Sequence, residues 1–232
     1  MKHLFPTVFA VLLGFAAPLA AQNNPVVVEL YTSQGCSSCP PADKIIQELA
    51  GREDVIALAL HVDYWDYIGW KDPFGNPAHA QRQRAYAKAG HRRTIFTPEM
   101  IVNGQTDIVG AKAMKLAEAI AKHAAIAPKV KLGLTRDGDQ VIITAQALEQ
   151  INGSMTVHLL RYTPKHTTDI KRGENGGKTF AYANIVEGWT ELGEWDGASP
   201  LRMTAKMAGD KPCVVIIQAQ HTGPILAAAR LR

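Results

Sequence analysis

Pro25-Val26-Val27-Val28-Glu29-Leu30-Tyr31-Thr32-Ser33-Gln34-Gly35-Cys36-Ser37-Ser38-Cys39-Pro40-Pro41-Ala42-Asp43 joins an apolar run to a helical pattern through two closely spaced cysteines. Residues 25 to 31 have the near-continuous hydrophobicity of a strand buried on both faces, and Thr32 to Gly35 breaks the run. From Pro40 the spacing turns helical, with Ile45, Ile46 and Leu49 on one face and Gly51 as the stop signal. The cysteines therefore stand where a buried strand passes into a helix. A thiol attacks only as its thiolate, and Cys36 at that position is expected to feel the positive end of the helix dipole and unpaired backbone N–H groups. Cys39, one turn further and nearer the buried face, is placed to attack a mixed disulfide on Cys36 and release the bound partner. Cys36 is thus the expected nucleophile and Cys39 the resolving thiol. A Cys-x-x-Cys alone is ambiguous; the strand-to-helix setting makes it a redox signal.

Working outward, Asp54 to Val62 reads as a second apolar strand and Pro77 to Ala89 as a helix opened by proline. Ile95 to Val102, the turn Asn103-Gly104 and Gln105 to Val109 then read as a hairpin. Residues 111 to 124 carry Met114, Ala117, Ile120, Ala121 and Ala124 at helical spacing and are followed by Pro128. Beyond Lys129 the pattern changes to short β-rich runs at Lys131 to Thr135, Gln140 to Ala145, Met155 to Tyr162 and Val214 to Gln220. They are separated by turn signals such as Asp137-Gly138, Asn152-Gly153 and Gly176-Gly177. Strands without intervening helices imply a sandwich or small barrel. The expected division is residues 1–21, 22–127 and 128–232.

The order β-α-β-α-β-β-α over residues 25 to 124, with the dithiol after the first core strand, resembles the thioredoxin fold. Thioredoxin-like proteins carry a cis-proline facing the dithiol, and the resemblance places it at Pro98. More narrowly, Glu29 to Asp43, His61-Val62-Asp63-Tyr64-Trp65-Asp66, Gly69-Trp70-Lys71-Asp72-Pro73-Phe74, and Thr97-Pro98 with Val102-Asn103-Gly104 resemble a secreted thioredoxin-like family, domain of unknown function 1223. The expected fold class is therefore an α/β thioredoxin-like domain followed by a β-rich, sandwich-like domain. The resemblance implies a thiol–disulfide oxidoreductase that cycles through a Cys36–Cys39 disulfide, with the backbone around Thr97 and Pro98 holding the partner as an added strand.

Two further groups stand out. Glu29 lies in the buried strand, where an unpaired carboxylate is costly and its pKa rises. A neutral Glu29 would relay a proton for Cys39, whereas a Lys or Arg partner, or a turn outward at the strand end, would make it structural. His61, Asp63, Tyr64, Trp65, Tyr67 and Trp70 follow the second strand, and ligands of open α/β sheets bind outside the carboxyl ends of strands. That cluster is expected to form a rim gripping an extended partner, with Tyr64, Trp65, Trp70 and His61 its contacts, or to pack as a satellite core. Cys213 and the remaining histidines read as ordinary core or surface residues. The run Gly173-Glu174-Asn175-Gly176-Gly177 reads as a hairpin turn.

Met1, Lys2 and His3, an apolar stretch from Leu4 to Leu19 and small residues at Ala20 and Ala21 have the layout of a cleaved secretory signal. The stretch falls short of the roughly 20 residues of a membrane-spanning helix. The chain is therefore expected to be exported, periplasmic or secreted, with no span after cleavage. The whole chain carries 25 Lys and Arg against 21 Asp and Glu, a formal charge of +4. That balance gives no support to nucleic-acid binding. A pair three residues apart closes too small a loop to restrain the unfolded chain, so its spacing suits chemistry over stapling. The expected partners are protein thiols or disulfides outside the cytoplasm, with no cofactor. The alternatives are a soft-metal site in which Cys36, Cys39 and Met100 or His61 bind Cu(I), and a binding module whose dithiol is inactive. Ser37 and Ser38 carry no charge that would set a redox direction.

Overall fold

Two seven-residue apolar strands set the frame, because every residue of both is buried and each needs cover on both faces. In a computed structural model describing residues 24–207, 209–220 and 222–232, these are β1 (Val26–Thr32) and β2 (Val55–His61), paired in parallel through α1 (Pro40–Leu49). The expected signal peptide lies outside the described residues. After β2 come a short 3₁₀ turn (Asp66–Ile68), α2 (Pro77–Ala89), the hairpin of β3 (Glu99–Val102) and β4 (Thr106–Val109), and α3 (Ala113–Ala124). The expected order of elements is present. The third run is shorter than expected, since residues 95–98 are irregular and the strand begins only at Glu99. Asn103 and Gly104 make the turn with positive φ at both positions. A Cβ on Gly104 would lie 2.5 Å from the Gly223 carbonyl, so this turn also packs against a loop from the far end of the chain.

The second half supplies β5 (Val130–Asp137), β6 (Gln140–Ala147), β7 (Met155–Asp169), β8 (Thr179–Trp195), β9 (Leu201–Lys206), β10 (Cys213–Ala219) and β11 (Ile225–Leu231). One sheet of eight strands, ordered β11-β10-β7-β8-β2-β1-β3-β4, runs through both halves, and β5-β6-β9 form a second sheet. The halves join where β8 lies parallel to β2, Ile185 opposite Ala59. The molecule is thus a mixed, sheet-rich α/β fold of three helices and eleven strands among the described residues.

Alternation along the strands sorts the core. Val28, Leu30, Ala57, Ala59, Met100 and Val102 pack under α1 and α3. Val27, Tyr31, Ile56, Leu58 and Leu60 face the other way with Tyr86 of α2, and that layer continues into Leu160, Val214 and Ile216. The three-stranded sheet covers Val157, Leu159, Val215 and Ile217. Helix α3 differs from expectation: Leu116, Ala119, Ile120 and His123 face the core, whereas Met114 is 79 % exposed. Three alanines among the five expected positions gave the pattern little power to fix its phase.

Strands β7 and β8 form one long antiparallel hairpin with bulges after Val157 and Arg161. Its tip returns toward the end of β1. There Gly173, at φ +77°, comes so close to the aromatic loop that a Cβ would lie 3.2 Å from the Cβ of Trp70.

Candidate functional site

The strand-to-helix passage carries a disulfide between Cys36 and Cys39, whose Cα atoms are 5.4 Å apart. Cys39 is the cap of α1 and is fully buried, Cys36 is 3 % exposed, and the intervening serines are exposed. The helix start differs from expectation in one respect. Pro40 and Pro41 have no N–H, and those of Ala42 and Asp43 bond the Cys39 carbonyl at 2.8 and 3.1 Å. A thiolate on Cys36 would therefore depend on the dipole and on the Ser38 hydroxyl, which lies 3.4 Å from its sulfur and donates to it.

Trp65 bridges the two segments expected to form the site. A Cβ on Gly35 would lie 3.1 Å from the Cβ of Trp65, while the Trp65 indole N–H donates to the Thr97 hydroxyl at 2.7 Å. The Thr97–Pro98 bond is cis, as expected. Antiparallel pairing of Tyr31 with Glu99 brings Pro98 beside the end of β1. Tyr67, 81 % exposed, stacks on Trp65, which is half-buried like its partner Thr97. Trp70 reaches the dithiol loop from the other side and donates to the Gln34 side chain at 2.9 Å. Tyr64 turns toward α2 and donates to Gln83.

Two expected site residues lie elsewhere. Glu29 is buried as expected but is no neutral relay for Cys39. Strand alternation turns it toward α2, away from α1, where Arg82 donates to both carboxylate oxygens at 2.8 and 2.9 Å and Tyr31 and Tyr86 donate their hydroxyls. Burial pushes its pKa up, but attraction to Arg82 and these hydrogen bonds outweigh burial and hold it below the ordinary value. His61 is no part of a gripping rim either. Its side chain is wholly enclosed, its Nδ1 donates to Asp72 at 2.7 Å, and its Nε2 has no hydrogen-bond partner among the described residues.

Three residues not singled out in the sequence converge beneath the dithiol. Asp72, below the ordinary carboxylate range despite burial because His61 attracts it, also accepts the Gln34 N–H at 2.8 Å. Asp43 is buried on α1, one turn beyond Cys39, and accepts from the Thr32 hydroxyl at 2.8 Å. Burial pushes its pKa up to about 6, against the pull of His61 and Thr32. Asn175, at the hairpin tip and 1 % exposed, donates to the carbonyls of both Gln34 and Cys36 at 3.0 Å, with Lys178 bonding its side-chain oxygen. Asn175→Ala would leave both carbonyls short of a donor, an expected loss of about 1–3 kcal/mol. Urea unfolding of the oxidised protein should show it; an unchanged midpoint would mean that water replaces the amide. Cys213 is buried in the second-half core, where desolvation raises its pKa.

Fold and site define a mixed-sheet α/β protein with a disulfide at a helix start, clamped from below by buried polar groups. The chain matches the model for a protein family of unknown function, DUF1223, over residues 27–218, and it belongs to that family. A crystal structure of an Agrobacterium tumefaciens protein, a structural genomics target, is 31 % identical with a TM-score of 0.76, covering 89 % of this chain and 93 % of that one. HBP35 of Porphyromonas gingivalis has a similar fold at 14 % identity, with a TM-score of 0.62 and coverage of 90 % and 75 %. None of the curated proteins matches the chain.

Proposed function

We propose that this protein is an exported, thioredoxin-like thiol–disulfide oxidoreductase that exchanges disulfides with protein thiols outside the cytoplasm. The observation that carries the reading is the Cys36–Cys39 disulfide at the entry to α1 together with the cis Thr97–Pro98 bond, the two segments linked by Trp65, which packs against Gly35 and donates to Thr97. The β2-β1-β3-β4 order with α1 and α3 on one face and α2 on the other supports the thioredoxin-like assignment. Export rests on the layout of residues 1–21.

In the exchange, the Cys36 thiolate attacks a partner disulfide, forming a mixed disulfide and expelling one partner thiolate. Cys39 then attacks the Cys36 sulfur, the Cys36–partner bond breaks, and the partner leaves as a second thiol. Two electrons pass from the protein dithiol to the partner disulfide, and the reverse sequence oxidises a partner dithiol.

The test uses the full chain expressed in its own compartment. Cys39→Ser permits the first attack but not its resolution, so covalent partner complexes should rise about tenfold over wild type, whereas Cys36→Ser should form almost none. Equal, negligible trapping by both variants would sink the reading, and trapping only by Cys36→Ser would reverse the two roles.

A further inference from the structure

With Glu29 committed to Arg82 on the far side of the sheet, the resolving thiol needs another group to take its proton. Cys39 and Asp43 are four residues apart on α1, and such positions share a helix face with Cβ atoms about 5–6 Å apart. Both are buried, and the Asp43 N–H bonds the Cys39 carbonyl, so the helical spacing is in place from the cap onward. One Asp43 oxygen accepts from Thr32 on β1. No cation pairs with the carboxyl group among the described residues.

We propose that Asp43 is the acid–base partner of Cys39, accepting its thiol proton directly or through one water as that sulfur closes on Cys36, and returning a proton in the reverse step. The assignment rests on the exchange reaction proposed above. As the proton passes to the carboxylate, the Cys39–Cys36 bond forms and the Cys36–partner bond breaks. The leaving sulfur carries the electron pair, and Asp43 afterwards releases its proton to solvent. The groups facing Asp43 from other elements are Thr32 of β1, His61 of β2, Asp72 from the loop before α2, and Tyr182 of β8, whose hydroxyl pKa is raised by burial, Asp43 and Asp72. Burial and the Asp72 charge favour the neutral acid while His61 and Thr32 favour the carboxylate, leaving a group that changes charge near pH 6.

The test follows the reduced full-length chain mixed rapidly with 5,5′-dithiobis(2-nitrobenzoate). The first thionitrobenzoate released reports attack by Cys36, and the second reports resolution by Cys39. Asp43→Asn should leave the first release unchanged and slow the second about ten- to a hundredfold at pH 7. The gap should close above about pH 9, where the thiol ionises unaided. Asp43→Glu should restore part of the rate. In wild type the second release should gain speed as pH rises through about 6, a reading that needs no variant. A second release with the same rate and pH profile in wild type and Asp43→Asn overturns the assignment while leaving the exchange function intact. A flat wild-type profile does the same. Absence of the first release in wild type overturns the exchange function and this assignment with it.

Discussion

Replacing Arg82 with methionine is expected to destabilise the protein by about 3–5 kcal/mol at neutral pH, because it strips the charge partner from a fully buried carboxylate. Arg82 donates to both oxygens of Glu29, bonds Tyr86 and Gln218, and lies 3.9 Å from the Trp189 ring centroid, so it ties α2 to β1, β8 and β10. Glu29 in the native protein sits below its ordinary pKa, so its contribution is present above that value and fades as pH falls through the folded one. In Arg82→Met, burial is opposed only by the Tyr31 and Tyr86 hydroxyls and the carboxyl group shifts upward. The deficit relative to wild type should therefore be greatest at pH 7 and shrink toward pH 4. Adding Glu29→Gln should return part of the loss, since the cost is mainly that of a stranded charge. Urea midpoints at the two pH values for the single and double variants measure this. A loss below about 1 kcal/mol at pH 7 would show that water enters and screens Glu29.

Asp43→Asn should have the opposite sign. The folded carboxyl group titrates at about 6 against an ordinary 3.8, so its contribution to stability is fully present below 3.8 and is lost as pH rises through 6. A shift of that size corresponds to about 3 kcal/mol. Asparagine keeps an oxygen for the Thr32 hydroxyl without the charge. The variant should therefore gain on wild type by about 2–3 kcal/mol between pH 4 and pH 8, the gap opening from about pH 4 and levelling off above about 6. Parallel stability curves for the two proteins across that range would mean that Asp43 ionises in the native state as easily as in the unfolded chain.

What the sequence showed and what it hid divide along physical lines. Strand β1, helix α1 and helix α2 were legible because their signals are local: an apolar run interrupted only by Glu29, prolines at a helix start, a glycine beyond its end. Pro98 was legible only through resemblance. Strands β8, β9 and β11 were not foreseen. β8 is interrupted by Gly188 and Gly193 and is half exposed, so neither a continuous nor an alternating pattern announces it. At the site, the two cysteines and Trp65 could be read from adjacency, but the partners of Glu29 and His61 could not. Burial of Glu29 was foreseen; that Arg82, 53 residues on, neutralises it depends on which way β1 turns its alternate side chains. Asp43 reads in sequence as an acidic residue favouring a helix N-terminus, and only the packing of α1 against β1 encloses it. Asn175 sits 139 residues from the Cys36 carbonyl it holds, in a turn whose glycines drew the eye instead.

The parallel contact between β2 and β8 also sets an order of events during synthesis. Val55 to His61 is made early, yet the strand that lies beside it is completed more than a hundred residues later, with Ile185 opposite Ala59. Until then the nascent chain presents Val-Ile-Ala-Leu-Ala-Leu-His with one row of amide and carbonyl groups open, a template on which stray strands can add. Such late, non-local closure is slow and leaves the intermediate prone to aggregation. Truncation before residue 185 would make that exposure permanent, so the folding hazard of this chain is concentrated in one early strand awaiting a late partner.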